Sequence, residues 1–152
     1  MRALTHLWRQ VLCVLSGKMV EGGVMLLVRL ALAGVFWRSG RAKIEEGSWL
    51  TISENTRFLF AEEYSGIPLP TAFATLAATT AEHLFPILLV LGLATRLSAL
   101  GLLGMTLMIQ IFVYPDAWWP VHSLWAALAL TLVVRGGGLF SADALIARKW
   151  LA

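Results

Sequence analysis

Apolar residues in this chain fall into four long runs, and the polar breaks between them are short except for one. The first run covers 22–40. It is apolar as far as Trp37 and reaches membrane-spanning length only if Arg38, Arg41 and Lys43 extend their charged ends toward the interface. The second, over 71–93, is long enough to cross about 30 Å of hydrocarbon at about 1.5 Å per residue, with Pro86 expected to bend it. The segment from Gly92 to Leu97 has room only for a tight reversal, so the third run, 97–114, should lie antiparallel beside the second. Tyr114, Trp118 and Trp119, with Pro115 and Pro120, read as a turn at an aromatic belt, and the fourth run follows over 118–135.

The flanks carry a different pattern. Leu4, Leu7, Trp8, Val11, Leu12 and Leu15 recur at three-and-four spacing, which makes 1–18 an amphipathic helix suited to the interface. Gly136 to Gly138 end the fourth run, and Ser141 can cap a second interfacial helix over 141–152, closing on Arg148, Lys149 and Trp150. The one long break, 45–70, carries Glu45, Glu46, Glu54, Glu62 and Glu63 and ends in Ile67-Pro68-Leu69-Pro70, as an outer loop or a partly re-entrant segment. The expected fold is all-α: a four-transmembrane-helix bundle over 19–140 with an interfacial helix at each end.

Composition supports a lipid solvent, since 59% of residues are hydrophobic and only 14% are charged. The net charge of +3 comes from residues flanking the apolar runs and reads as topology signal and lipid contact, not as a nucleic-acid surface. Arg2, Arg9, Lys18, Arg96, Arg135, Arg148 and Lys149 fall on one side and Arg38, Arg41, Lys43 and Arg57 on the other, which places both termini in the cytoplasm. Arg9 and Gln10 interrupt what would be the apolar core of a signal peptide. Cys13 is the only cysteine, so no intrachain disulfide or Cys-x-x-Cys redox pair can form.

Ionisable groups inside an apolar run cost several kcal/mol unless they find partners, which directs attention to Arg29 and Glu82. Placed on antiparallel helices, they lie at depths of about 10 and 14 Å from one edge and are expected to meet. Such a pair either fixes helix register or forms a site for a polar head group or a proton. Thr106, Gln110 and Tyr114 follow at four-residue intervals, and with Glu82, His83 and His122 they are expected to line a cavity open to the outer face. His83 and His122 lie at different depths, so a single haem cannot use both, and no cluster has metal-ligand spacing. No nucleophile, base and acid stand in a recognisable order, so no catalytic residue is assigned.

Leu27-Val28-Arg29 through Gly34, Gly40-Arg41-Ala42-Lys43, the Ile67-Pro68-Leu69-Pro70 entry, Ala81-Glu82 and Gly92 through Leu97 occur in an order that resembles the DoxX family of small membrane proteins. Tyr114-Pro115-Asp116-Ala117-Trp118, His122, Trp125 and Gly136 through Leu145 continue the likeness. The resemblance implies a four-helix bundle of the bacterial plasma membrane. It also implies an accessory or anchoring subunit of a redox or detoxification system, without autonomous enzymatic activity and with a quinone as candidate ligand. The alternatives are a small-molecule or ion carrier using Glu82 and His83, and a scaffold or assembly chaperone. Membrane lipids, a protein partner and further copies of the chain are the expected company. Arg29, Lys43, Glu82, Arg96 and Asp143 carry over as motif positions without catalytic roles. Gly137 stands where relatives often have proline.

Overall fold

Four helical stretches are long and apolar enough to cross a membrane: Lys18–Ala42, Thr71–Leu91, Thr95–Phe112 and Pro115–Arg135. The computed structural model describes the backbone of residues 1–49 and 51–151, and their side chains except at positions 2–5, 7, 10, 11 and 151. In chain order the α-helices are α1 (Arg2–Leu15), α2 (Lys18–Ala42), α3 (Glu54–Glu62), α4 (Thr71–Leu91), α5 (Thr95–Phe112), α6 (Ser123–Arg135) and α7 (Ala142–Leu151). A 3₁₀ turn, Pro115–Ala117, and a π turn, Trp118–His122, lead into α6. Leu4, Leu7 and Val11, which carry part of the expected apolar face of α1, have side chains outside the described residues.

The first crossing is longer than its apolar run. α2 begins at Lys18 and runs through Arg38 and Arg41, and at 25 residues it spans about 37 Å. Its ends can therefore be polar while its middle is not. α2 packs on α4, α4 on α5, α5 on α6, and α6 back on α2, closing a four-helix ring. Met25, Leu32, Ala33, Phe36, Leu89, Ala99, Leu102, Ala129 and Leu132 fill its centre. The outward faces carry exposed Leu27, Leu76, Ile87, Leu97, Leu100, Ile111, Leu124 and Val134. A bundle that is apolar outside as well as inside is what a hydrocarbon solvent selects.

The reversal between α4 and α5 is as tight as the sequence suggests. Gly92 ends α4 in a left-handed conformation, φ +68°, and its N–H reaches back to the Leu89 carbonyl at 3.1 Å. A Cβ at Gly92 would fall on the Arg29 guanidinium. Ala94, also at positive φ (48°), then starts α5, with Asp143 from the far end of the chain bonded to the Ala94 and Thr95 N–H groups at 2.8 Å each.

The long polar break holds α3. Ser53 caps it by accepting from the Thr56 N–H at 3.2 Å, and the Thr56 hydroxyl donates to the Lys43 carbonyl at 2.9 Å. An antiparallel bridge between Ile44 and Ile52 closes the loop before it. Together these contacts fasten α3 to the end of α2.

Candidate functional site

Glu82 lies mid-way along α4, and an unpartnered carboxylate there would cost several kcal/mol. Its partner is Lys43, the residue that ends α2, with Nζ 2.7 Å from Glu82 Oε2. Ser39, one turn earlier on α2, donates to Glu82 Oε1 at 3.1 Å and accepts from Lys43 Nζ at 2.9 Å. The lysine and glutamate side chains are 9% and 2% exposed, so the pair is cut off from bulk water. Gly40 makes this approach feasible: a Cβ there would lie 2.9 Å from the His83 ring and 3.1 Å from Glu82 Cβ.

Lys43 and Glu82 form the polar end of a groove of about 410 Å³ between α4 and α5. Ala77, Ala78 and Ala81 on α4 and Gly101 and Gly104 on α5 are too small to fill the space between the helices. Met105 and Met108 give it a pliable wall, while Phe60 and Tyr64, from α3 and the turn after it, cover one end. Phe60 and Tyr64 meet edge to face at 4.7 Å, and Tyr64 meets Tyr114 the same way at 6.1 Å. Tyr114 donates to Glu63 Oε2 at 2.7 Å, which ties the α3 end to the start of the α5–α6 connection. Burial, followed by the neighbouring Tyr114, pushes the Tyr64 phenol well above its ordinary value. The hydrogen bond to Glu63, followed by burial, raises that of Tyr114.

The expected meeting of Arg29 and Glu82 does not occur. Arg29 is fully buried about two turns further along α4, where it donates to the carbonyls of Leu89 at 3.0 Å, Val90 at 3.3 Å and Phe140 at 2.5 Å. Those carbonyls are available because α4 ends there and residue 140 lies in a turn, so helix ends, not a carboxylate, satisfy the guanidinium. Arg96 does similar work, donating to the Val133 carbonyl at 2.6 Å. Arg29, Arg96 and Asp143 thus belong to a structural lock at the end of the bundle away from α3.

The expected polar stripe also divides. Of Glu82, His83, Thr106, Gln110, Tyr114 and His122, only Glu82 lines the groove. Thr106 is buried and donates to the Leu102 carbonyl of its own helix at 2.8 Å. Gln110 binds His122 Nδ1 at 2.7 Å and the Pro115 carbonyl at 2.5 Å, joining α5 to α6. The His83 ring turns away from the groove, with Nδ1 on the Thr79 carbonyl at 2.7 Å and its edge against Trp37 at 5.3 Å. A four-residue repeat keeps side chains on one face, but neighbouring helices decide what each member meets. Ser39, Phe60 and Tyr64 escaped the sequence reading. The one available signal was the i, i+4 spacing of Ser39 and Lys43.

A family model described as DoxX matches residues 24–115. The chain belongs to the DoxX family. That match spans α2 to α5 and therefore holds the whole groove, including Lys43 and Glu82, while α6 and α7 lie beyond it. The DoxX chain is also similar to an uncharacterized protein of Haemophilus influenzae, 29% identical over 154 residues that cover 91% of this chain and 92% of the relative. No solved structure matches it. Among the described residues no group of His, Cys, Asp or Glu could hold a metal ion.

Proposed function

We propose that this DoxX protein is an accessory subunit of a plasma-membrane redox or detoxification system, without catalysis of its own. In this reading it binds a partner enzyme and holds a quinone-like ligand in the α4–α5 groove. The observation behind it is a groove of about 410 Å³, apolar along its length and ending in a buried Lys43–Glu82 pair. An apolar cleft with a few convergent polar groups is the usual form of a small-molecule site. Lys43 supplies a donor to a ring carbonyl, and Glu82 Oε2, whose one close neighbour is the Lys43 ammonium, has a further lone pair to accept from a ring hydroxyl. The apolar tail would lie over Ala78, Gly101 and Gly104. The termini face the cytoplasm in this arrangement, and a homo-oligomer is compatible with it.

The test is binding of decylubiquinone to protein in lipid nanodiscs, with a pull-down from native membranes in mild detergent. Gly104→Leu fills the groove at a position where a Cβ meets nothing within 4 Å, so the fold should hold while binding is lost. Lys43→Met should weaken binding about tenfold, the scale of one hydrogen bond to a charged group. A quinone that binds both variants as it binds the parent, together with a pull-down that yields no partner, would end this reading.

A further inference from the structure

A second groove, of about 350 Å³, lies on the opposite flank of α4, between α4 and α2. Leu30, Gly34 and Trp37 line one side and Pro86, Ile87 and Val90 the other, and none of these carries a charge. The groove extends about 10 Å along α2, from Leu30 to Trp37. It owes its depth to Gly34, where a Cβ would meet nothing within 4 Å.

The same stripe of α2 turns basic immediately beyond the groove. Arg38 follows Gly34 by four residues and Arg41 follows Trp37 by four, so both stand over the groove's end. Arg41 is held in place, with Cζ 5.3 Å from the centre of the Trp49 ring and Nη1 donating to the Ser48 carbonyl at 3.2 Å. Arg38 is exposed and has no hydrogen-bond or ion-pair partner among the described residues. It lies four residues from the end of α2, about 6 Å, so that when the helix spans a bilayer its backbone sits near the hydrocarbon edge and its long side chain reaches outward to the lipid phosphates.

We infer that this groove is a binding site for one anionic phospholipid, with an acyl chain between Gly34 and Pro86 and the head-group phosphate on Arg38, beside Arg41. A second copy of the chain suits the surface less well. A twofold axis along the membrane normal through this groove would set Arg38 against Arg38. Phosphate removes that unbalanced charge, and guanidinium matches its geometry with paired donors. The site is separate from the Lys43–Glu82 groove and does not depend on its ligand.

Native mass spectrometry in mild detergent tests the assignment with phosphatidylglycerol, phosphatidylcholine and inorganic phosphate as probes. Phosphatidylglycerol should be retained as a one-to-one adduct about fivefold more firmly than phosphatidylcholine, and Arg38→Gln should abolish that preference, in line with one cation near an anionic surface. Gly34→Leu should reduce retention of both lipids, because it fills the chain's place. Circular dichroism establishes that each variant keeps its helices. Retention of phosphatidylglycerol no better than phosphatidylcholine, or undiminished in both Arg38→Gln and Gly34→Leu, overturns the site. Displacement of the lipid by inorganic phosphate assigns the arginine to a free anion and overturns it too, as does a dimer that carries no lipid adduct.

Discussion

At the scale of single residues, the buried charges of Glu82 and Arg29 solve the same problem in different ways. Lys43 and Glu82 satisfy each other, with Ser39 bridging them. Removing one partner of such a pair leaves an uncompensated charge, so Lys43→Met should cost about 3–5 kcal/mol, whereas Lys43→Met with Glu82→Leu should recover most of it. Thermal unfolding followed by circular dichroism in one detergent separates these outcomes, and equal losses in the single and double variants would refute the pairing. Arg29 relies on backbone carbonyls. Exchanging charges through Arg29→Glu and Glu82→Arg should therefore rescue neither single change, and a restored melting temperature would contradict the geometry. The sequence marks both residues, since a charge inside an apolar run is visible in any hydropathy profile. It does not mark their partners, because carbonyls freed at a helix end leave no trace in side-chain pattern, and Lys43 sits at a helix terminus where lysine ordinarily reaches for water.

At the scale of elements, the four crossings were legible and α3 was not. Crossings announce themselves through long apolar runs, and the Gly92 reversal through its brevity. α3 is nine residues of mixed polarity whose signal was the capping Ser53 alone, and tertiary contacts with Lys43 hold it helical. Its cover over the groove is closed by the Tyr114–Glu63 bond and the Tyr64–Tyr114 contact. Both phenols titrate above the ordinary 10.0, so the fold holds them protonated. The stabilisation they contribute is whole below about pH 10 and is lost as pH climbs through their raised values. Because these are the only two tyrosines, tyrosinate absorbance reports on them directly. It should emerge at higher pH than for a free tyrosine amide, and Tyr114→Phe should remove one titration and speed proteolysis within α3. Ordinary titration of both groups would mean the cover is open.

At the scale of the whole molecule, four spanning helices make an even number of crossings, so α1 and α7 belong on one side. Reporter fusions at the two termini should give the same sidedness, and opposite readings would remove one crossing from the bundle. The site was only partly legible at this scale: a groove lies beside Glu82, but it is apolar along its length and no other member of the expected polar lining reaches it, because helix rotation within the ring is set by packing at Gly40 and Gly101. The placement of Arg29 has a consequence for biogenesis. Its acceptors lie 60 to 111 residues further along the chain, and the most distant, at Phe140, emerges only after the last crossing. The helix that carries Arg29 must therefore enter the bilayer before any of these acceptors exists, gain the Leu89 and Val90 carbonyls when α4 joins it, and complete its set only once residue 140 has been made. A chain cut short after α6 would keep the acceptors of one guanidinium nitrogen and lose that of the other, so the first crossing would be left only half anchored.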